Sequence, residues 1–212
     1  MGSQISLLKQ ILRAGEGWDG RRFSSAEIDL LSKHYELTLK WNGRLHLTTL
    51  TQPQDFFERH ILESAFAESL ILPCVHQIWD LGSGLGIPGI VIAVLRPDLT
   101  VHLVEASRNK AVFLEEAVGT LALTNARVVR SRLESIENLP LESCLTVRAV
   151  ERMEKMLPEM MRLGVRASQI LIFGAKYLED EARKKLTERW RIGSSLIPGS
   201  NRRYLINLSR ST

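Results

Sequence analysis

The sequence predicts an α/β fold: a mostly parallel seven-stranded sheet with helices on both faces and an N-terminal helical extension. Three observations predict it. Residues 1–72 carry apolar positions at helical spacing. From Gln77 onward, short apolar runs alternate with helical patterns, which is how βαβ units with right-handed crossovers read. The chain then closes on two strand patterns in succession, joined by Pro198-Gly199-Ser200-Asn201. That turn makes them antiparallel neighbours.

The elements follow in order. Ser24-Ser25-Ala26-Glu27 opens a helix with a hydroxyl cap and an acidic first turn. Ile28, Leu31, Tyr35 and Leu39 fall on its apolar face. A second helix covers 53–71 and stops at Pro73. Strands are expected at Gln77–Leu81, Thr100–Glu105, Ala126–Ser131, Cys144–Val150 and Gln169–Ala175, with the closing pair at Trp190–Ile197 and Arg203–Ser209. Helices are expected at Pro88–Leu95, from Ser107 to about Leu121, and at Leu157–Leu163 and Glu179–Glu188. Residues 1–72 read as a helical cap and 73–212 as the ligand-binding domain, together one compact unit.

Composition narrows the class. Of 212 residues, 44% are hydrophobic and 25% charged, which suits a folded globular chain. No apolar run approaches the roughly 18–20 residues of a membrane span, so no membrane partner is expected. Cys74 and Cys144 lack metal-ligand spacing, and no export signal is evident, so both are expected as buried thiols in a cytoplasmic protein. The net charge of +4 permits a polyanionic partner. Lys176, Arg183, Lys184, Lys185, Arg189, Arg191, Arg202, Arg203 and Arg210 crowd the last quarter, where a nucleic-acid footprint is expected.

The most informative stretch is Trp79-Asp80-Leu81-Gly82-Ser83-Gly84-Leu85-Gly86-Ile87-Pro88-Gly89, between a buried strand and a helix. Glycines there allow a sharp turn and bring backbone N–H groups against a ligand. Glu105 ends the next strand, where a carboxylate accepts ribose hydroxyls. Two ligands fit. Gly84-x-Gly86-x-x-Gly89 satisfies the dinucleotide fingerprint, which a nicotinamide-dependent oxidoreductase would use. The register from Asp80 reads Asp-x-Gly-x-Gly-x-Gly and resembles motif I of class I methyltransferases. Asp80 would attract the ammonium of S-adenosylmethionine and repel a pyrophosphate, which favours the methyl donor.

Further segments then carry a specific resemblance. They are Lys40-Trp41-Asn42, Leu47-Thr48, Arg59-His60-Ile61-Leu62-Glu63-Ser64, the Ile87-Pro88-Gly89 ending, Glu105-Ala106-Ser107 with Lys110 and Phe113-Leu114, Asn125, Arg132, Glu134, and Arg148-Ala149-Val150. From about Leu37 to Ser209 the chain resembles the bacterial small-subunit rRNA guanine-N7 methyltransferases, once named glucose-inhibited division protein B. The resemblance implies a Rossmann-like class I methyltransferase fold. It implies S-adenosylmethionine as donor, with S-adenosylhomocysteine as product. It implies N7 of a guanine in 16S rRNA as acceptor. A modest basic patch on a small protein suits a structured ribonucleoprotein, so the 30S subunit is the expected partner, and the lack of a long heptad or large apolar surface predicts a monomer. Guanine N7 offers a lone pair without losing a proton, so alignment rather than a general base is expected.

The expected donor-binding residues are Asp80, Gly82, Gly84, Gly86, Glu105, Ala106, Ser107, Glu134 and Arg148. Arg148, Arg132 and Lys176 are the expected catalytic cations, on guanine O6 or RNA phosphate. His60, Glu63 and Asn42 are expected to tie the N-terminal helices to the donor domain, and Trp41 to lie in the core. Against the family, this chain has His46 before Leu47-Thr48, Ala111 after Lys110, Tyr177 after Lys176, and Glu151-Arg152-Met153 after Val150. Those departures point to the RNA-facing side. Other readings are a class I methyltransferase on another RNA or small molecule, or a non-catalytic RNA-binding factor.

Overall fold

The computed structural model describes residues 1–15, 20–137, 139–148, 153–164, 166–185 and 189–210. The N-terminal part holds α1 (Gly2–Ala14), α2 (Ser25–Leu45), α3 (Pro53–Phe56), a π-helical stretch (Phe57–Leu62) and α4 (Glu63–Ser69). The sheet follows as β1 (Gln77–Leu81), β2 (Thr100–Val104), β3 (Ala126–Val129), β4 (Ser143–Val147), β5 (Gln169–Gly174), β6 (Trp190–Leu196) and β7 (Tyr204–Arg210). Its order is β3-β2-β1-β4-β5-β7-β6. The first five strands in that order are parallel, and β7 runs antiparallel to both β5 and β6. Helices α5 (Gly89–Leu95), α6 (Arg108–Thr120), α7 (Met153–Gly164) and α8 (Tyr177–Lys185) complete it. β2 and β3 lie on one side of β1 and β4 lies on the other. The chain therefore reverses its winding beside β1, and a crevice opens at the carboxyl ends of β1 and β4.

Strand periodicity assigns the two faces. On β5, Leu171 and Phe173 join the core shared with α1–α6, and Ile170 and Ile172 join the core on the opposite face. One contiguous core thus contains Leu8, Leu31, Tyr35 and Ile61 from the N-terminal helices and Ile90, Leu103 and Phe113 from the sheet and its helices. The second core contains Leu81, Val147, Met160, Leu163 and Leu208.

Several boundaries differ from those the sequence predicts. α2 starts as expected, with Ser24 accepting from the Glu27 N–H and the Glu27 carboxylate accepting from the Ser24 N–H. α5 begins at Gly89, so Pro88 is its N-cap residue. β2 ends at Val104, which leaves Glu105 in the loop, free to turn back. β4 ends at Val147; Ala149, Val150 and Glu151 lie outside the described residues. α8 begins at Tyr177, directly after Lys176, and the expected end at Glu188 lies outside the described residues. Cys74 is exposed, contrary to expectation, because it sits in the turn before β1. Cys144 is buried in β4, and burial pushes its thiol pKa up.

α2 reaches the loop between β1 and α5 through a polar contact that the sequence did not announce. His34 is buried between Phe56 and Phe113, and its Nε2 pairs with the Leu85 carbonyl at 2.8 Å. Burial lowers its pKa to about 4, and the carbonyl opposes the shift. A histidine kept neutral when folded but protonated when unfolded favours folding fully above its ordinary pKa. That contribution declines as pH falls from about 6.5 towards about 4. The melting temperature should therefore fall on acidification through that window. A His34→Gln variant, which retains a donor but cannot titrate, should fall less; parallel wild-type and variant curves would contradict this role.

Candidate active site

The loop between β1 and α5 is built by three glycines in the left-handed region: Gly82 (φ +71), Gly84 (φ +56) and Gly86 (φ +86). The N–H groups of Gly82 and Ser83 both donate to the Val104 carbonyl at 2.9 Å, and the Gly86 N–H donates to the Ser83 carbonyl at 2.7 Å. The glycines then divide by what surrounds them. A Cβ on Gly82 would meet nothing within 4 Å, and one on Gly84 only the Gly82 carbonyl at 3.8 Å. Bare backbone therefore faces open space at these two positions. A Cβ on Gly86 would lie 2.3 Å from Ile90 Cδ1, and one on Gly89 would lie 2.4 Å from Leu103 Cδ2. Gly86 lets the loop close on α5 and α6, and Gly89 lets α5 close on the strands.

Two carboxylates hold this loop. Glu105 is 8% exposed. Its Oε2 accepts from the Gly84 N–H at 2.9 Å and its Oε1 from the Ser107 N–H at 2.8 Å, so it bridges the glycine loop and the start of α6. Asp80 is 1% exposed. Its Oδ1 accepts from the Thr146 hydroxyl at 2.9 Å and its Oδ2 from the Gly89 N–H at 3.2 Å. Burial raises its pKa to about 6, against those hydrogen bonds and the charge of Arg148. Asp80 thus sits beneath the loop, joining β1, β4 and α5.

A second cluster lies at the carboxyl end of β4. Glu63 is 3% exposed and meets three guanidinium groups. Arg59 Nε lies 2.9 Å from Oε1, Arg203 Nε 2.8 Å from the same oxygen, and Arg148 Nη2 3.1 Å from Oε2. Arg148 Nη2 also donates to the Arg59 carbonyl in the π-helical stretch, and the guanidinium lies over the Phe173 ring at 5.4 Å. Its Nη1 is buried and has no hydrogen-bond partner. Burial lowers the Arg148 pKa to about 10, with Glu63 opposing, so it remains a cation at neutral pH.

The expected ties between helices and sheet divide differently. Glu63 reaches the sheet through Arg148 and Arg203. His60 stays within the N-terminal part: its Nε2 pairs with the Thr48 hydroxyl at 3.0 Å. Burial first, then the charge of Arg148, keeps that imidazole neutral. Asn42 clamps Thr48, donating to its carbonyl at 2.8 Å and accepting from its N–H at 2.9 Å. Trp41 packs edge-on against Phe113 and donates to Glu116, as a core residue would.

The structure therefore brings together Asp80, Gly82, Gly84, Glu105 and Ser107, with exposed Ala106 beside them. Arg148 is linked to them through the Asp80 charge. Exposed Arg132 precedes a 3-10 turn, Leu133–Ser135, that carries exposed Glu134. Among the described residues neither side chain makes a hydrogen bond or ion pair to the arginine cluster. Lys176 is exposed, with Nζ 5.9 Å over the Tyr204 ring. The departures from the family fall in different settings. His46 caps α2 in the left-handed region (φ 47), which histidine, like asparagine, tolerates better than most residues. Ala111 is buried in α6. Tyr177 is exposed, and Glu151 lies outside the described residues.

The comparisons with known proteins agree with this geometry. The family described as rRNA small subunit methyltransferase G matches residues 27–194. "Ribosomal RNA small subunit methyltransferase G" of Xanthomonas campestris pv. campestris (strain B100) is 33% identical over 178 residues, covering 82% of each chain. The protein of that name from Dichelobacter nodosus (strain VCS1703A) is 37% identical over 175 residues, again covering 82% of each. Among solved structures, a SAM-dependent methyltransferase from Aquifex aeolicus superposes with a TM-score of 0.56 at 15% identity, over 74% of this chain and 93% of the other. M. capricolum TrmK, solved with S-adenosyl-homocysteine, superposes with a TM-score of 0.57 at 13% identity, over 72% and 70%. These superpositions show the class I methyltransferase fold.

The division among the glycines is testable by urea unfolding. Gly89→Ala should lower stability by about 1–3 kcal/mol through overpacking against Leu103 and Asp80. Gly82→Ala has room and should lose only the roughly 1–2 kcal/mol of left-handed strain. A larger loss at Gly82 than at Gly89 would contradict the assignment.

Proposed function

The chain belongs to the rRNA small subunit methyltransferase G family, and on that premise we propose that it methylates N7 of a guanine in 16S rRNA. Its methyl donor is S-adenosylmethionine. When bound, the donor supplies an electrophilic methyl group carried on a sulfonium.

The observation that carries this reading is the bare backbone of Gly82 and Gly84 beside the Glu105 carboxylate. Open backbone at two glycines, with an acid at its edge, suits a nucleoside carrying an amino-acid tail. Glu105 is the ribose acceptor. To serve, it exchanges backbone donors for sugar hydroxyls, and Gly82, Gly84, Ala106 and Ser107 line the same space. Gly86 acts through helix packing, and Asp80 holds the loop from below. Glu134 lies on the adenine side.

The chemistry asks little of the protein beyond placement. Guanine N7 attacks through an in-plane lone pair, so no proton need be removed first. The bases near Arg148 fit that requirement. Glu63 is the counter-ion of three arginines, His60 is bonded to Thr48, and Asp80 is bonded to Thr146 and Gly89. None is an unengaged acceptor poised to take a proton. Arg148 remains a cation whose free Nη1 can hold guanine O6 or an acidic group of the donor. Lys176 and Arg132 serve as contacts to RNA phosphate.

The acceptor is a guanine presented within an assembled 30S subunit, and the enzyme acts as a cytoplasmic monomer. Among the described residues, the large exposed apolar side chains Leu7, Val112, Tyr177 and Leu196 come from four different elements, which supports the monomer. Among the described residues no helix is long and apolar enough to cross a membrane. The cap 1–72 and the donor domain 73–212 act as one unit; their shared core supports this.

The test is methyl transfer from labelled donor to 30S subunits that lack native modification, with the acceptor nucleotide mapped. Incorporation is expected at a guanine N7. Glu105→Ala should reduce kcat/KM by about tenfold or more, the loss of roughly 1.4 kcal/mol of transition-state binding. Label on an exocyclic amine or ribose, or an unaffected Glu105→Ala variant, would contradict the reading.

A further inference from the structure

Three guanidinium groups surround one buried carboxylate at Glu63, which leaves the cluster with a cationic excess at the rim of the site. Arg148 lies inside it, with its side chain 9% exposed and Nη1 unsatisfied. Arg59 and Arg203 lie outside it, with side chains 35% and 29% exposed. Both reach Glu63 through Nε. Among the described residues their terminal Nη groups find no hydrogen-bond acceptor. Each therefore presents an open donor face while the carboxylate fixes the base of its fork.

Their position follows from the sheet. Arg203 precedes Tyr204, which pairs with Gly174 at the carboxyl end of β5. Lys176 follows two residues later and lies over the Tyr204 ring. Tyr177, 49% exposed, stands next to Lys176. Cations with aromatic rings between them thus line the ends of β4, β5 and β7, next to the crevice that holds the donor. On α8, Arg183 pairs with Glu179 and Lys184 with Glu181.

We propose that Arg59 and Arg203, pre-set by Glu63, together bind a backbone phosphate of the RNA beside the target nucleotide. The proposal rests on the rRNA methyltransferase reading above and extends it to two residues at the substrate rim. Glu63 is the positioning residue: it holds two flexible side chains in one geometry before the anion arrives. A phosphate would complete the charge balance that one carboxylate leaves open. Arginine suits the task because its planar fork contacts two phosphate oxygens at once.

The experiment measures binding of reconstituted 30S subunits carrying unmodified 16S rRNA across a range of salt. Wild type is compared with Arg59→Gln, Arg203→Gln, the double variant and Arg203→Lys. S-adenosylhomocysteine affinity and melting temperature are followed in parallel. Each glutamine variant should bind the subunit about threefold to tenfold more weakly, with a salt slope shallower by about 1. Arg203→Lys should keep the slope, because the charge remains. Homocysteine-product affinity should stay within about twofold of wild type, since these residues face the RNA rather than the glycine loop. Unchanged subunit affinity and slope in the double variant would overturn the proposal and leave the methyltransferase reading intact. So would a loss that Arg203→Lys shares in full and that tracks the melting temperature, because the arginines would then be structural. A wild-type chain that binds S-adenosylhomocysteine but neither binds nor methylates the subunits would overturn both.

Discussion

The structure depends on the ionic contact of Glu63 with Arg148. A carboxylate and a guanidinium, both about nine-tenths or more removed from water, hold the end of β4 against the N-terminal helices. Burying either charge alone would be costly. Arg59 and Arg203 complete the carboxylate's partners from the π-helical stretch and from the start of β7. A π-helical turn accommodates an extra residue and shifts the phase of the side chains that follow. Here it is also the segment whose Arg59 carbonyl accepts from Arg148. Packing between the helices and the sheet joins the two parts over a broad area. The Glu63 cluster fixes their polar register at the crevice.

Two acids within one short region play opposite parts because their surroundings differ. Asp80 is sealed beneath the glycine loop, where burial raises its pKa and three elements share its hydrogen bonds. Glu105 stands one strand away at the edge of the open space, bonded only to backbone N–H groups of two loops. The first sets the shape of the loop. The second ties the rim of the loop to the start of α6. The glycines divide in the same way: Gly82 and Gly84 leave room, whereas Gly86 and Gly89 allow close packing.

Much of the fold was legible because strand and helix periods leave direct traces. The β1–loop–α5 unit, the parallel strands and the antiparallel closing pair were readable from local pattern alone. Boundaries shifted where a polar residue had to leave its strand, as Glu105 does after Val104. The candidate site was legible in part. The Asp80 and Glu105 positions were visible from spacing, but their burial and hydrogen-bond partners were not. Arg59 and Glu63 sit four residues apart, and their pairing could have been inferred. Arg203 could not, because its partner lies 140 residues earlier in the chain. The His34 bond to Leu85 escaped for the same reason: a buried histidine on an apolar face carries no local sign of the carbonyl it meets. His46 ends α2 in the left-handed region with its side chain exposed, and Ala111 is buried in α6; neither environment was readable from the sequence.

The most direct measurement of this account is a double-mutant cycle on the central contact. Unfolding free energies would be determined for wild type, Glu63→Gln, Arg148→Met and the double variant. The account predicts one cooperative transition in each protein and a coupling of about 1 kcal/mol or more between the two positions. Additive effects, or separate transitions for the helices and the sheet in the wild-type chain, would contradict it.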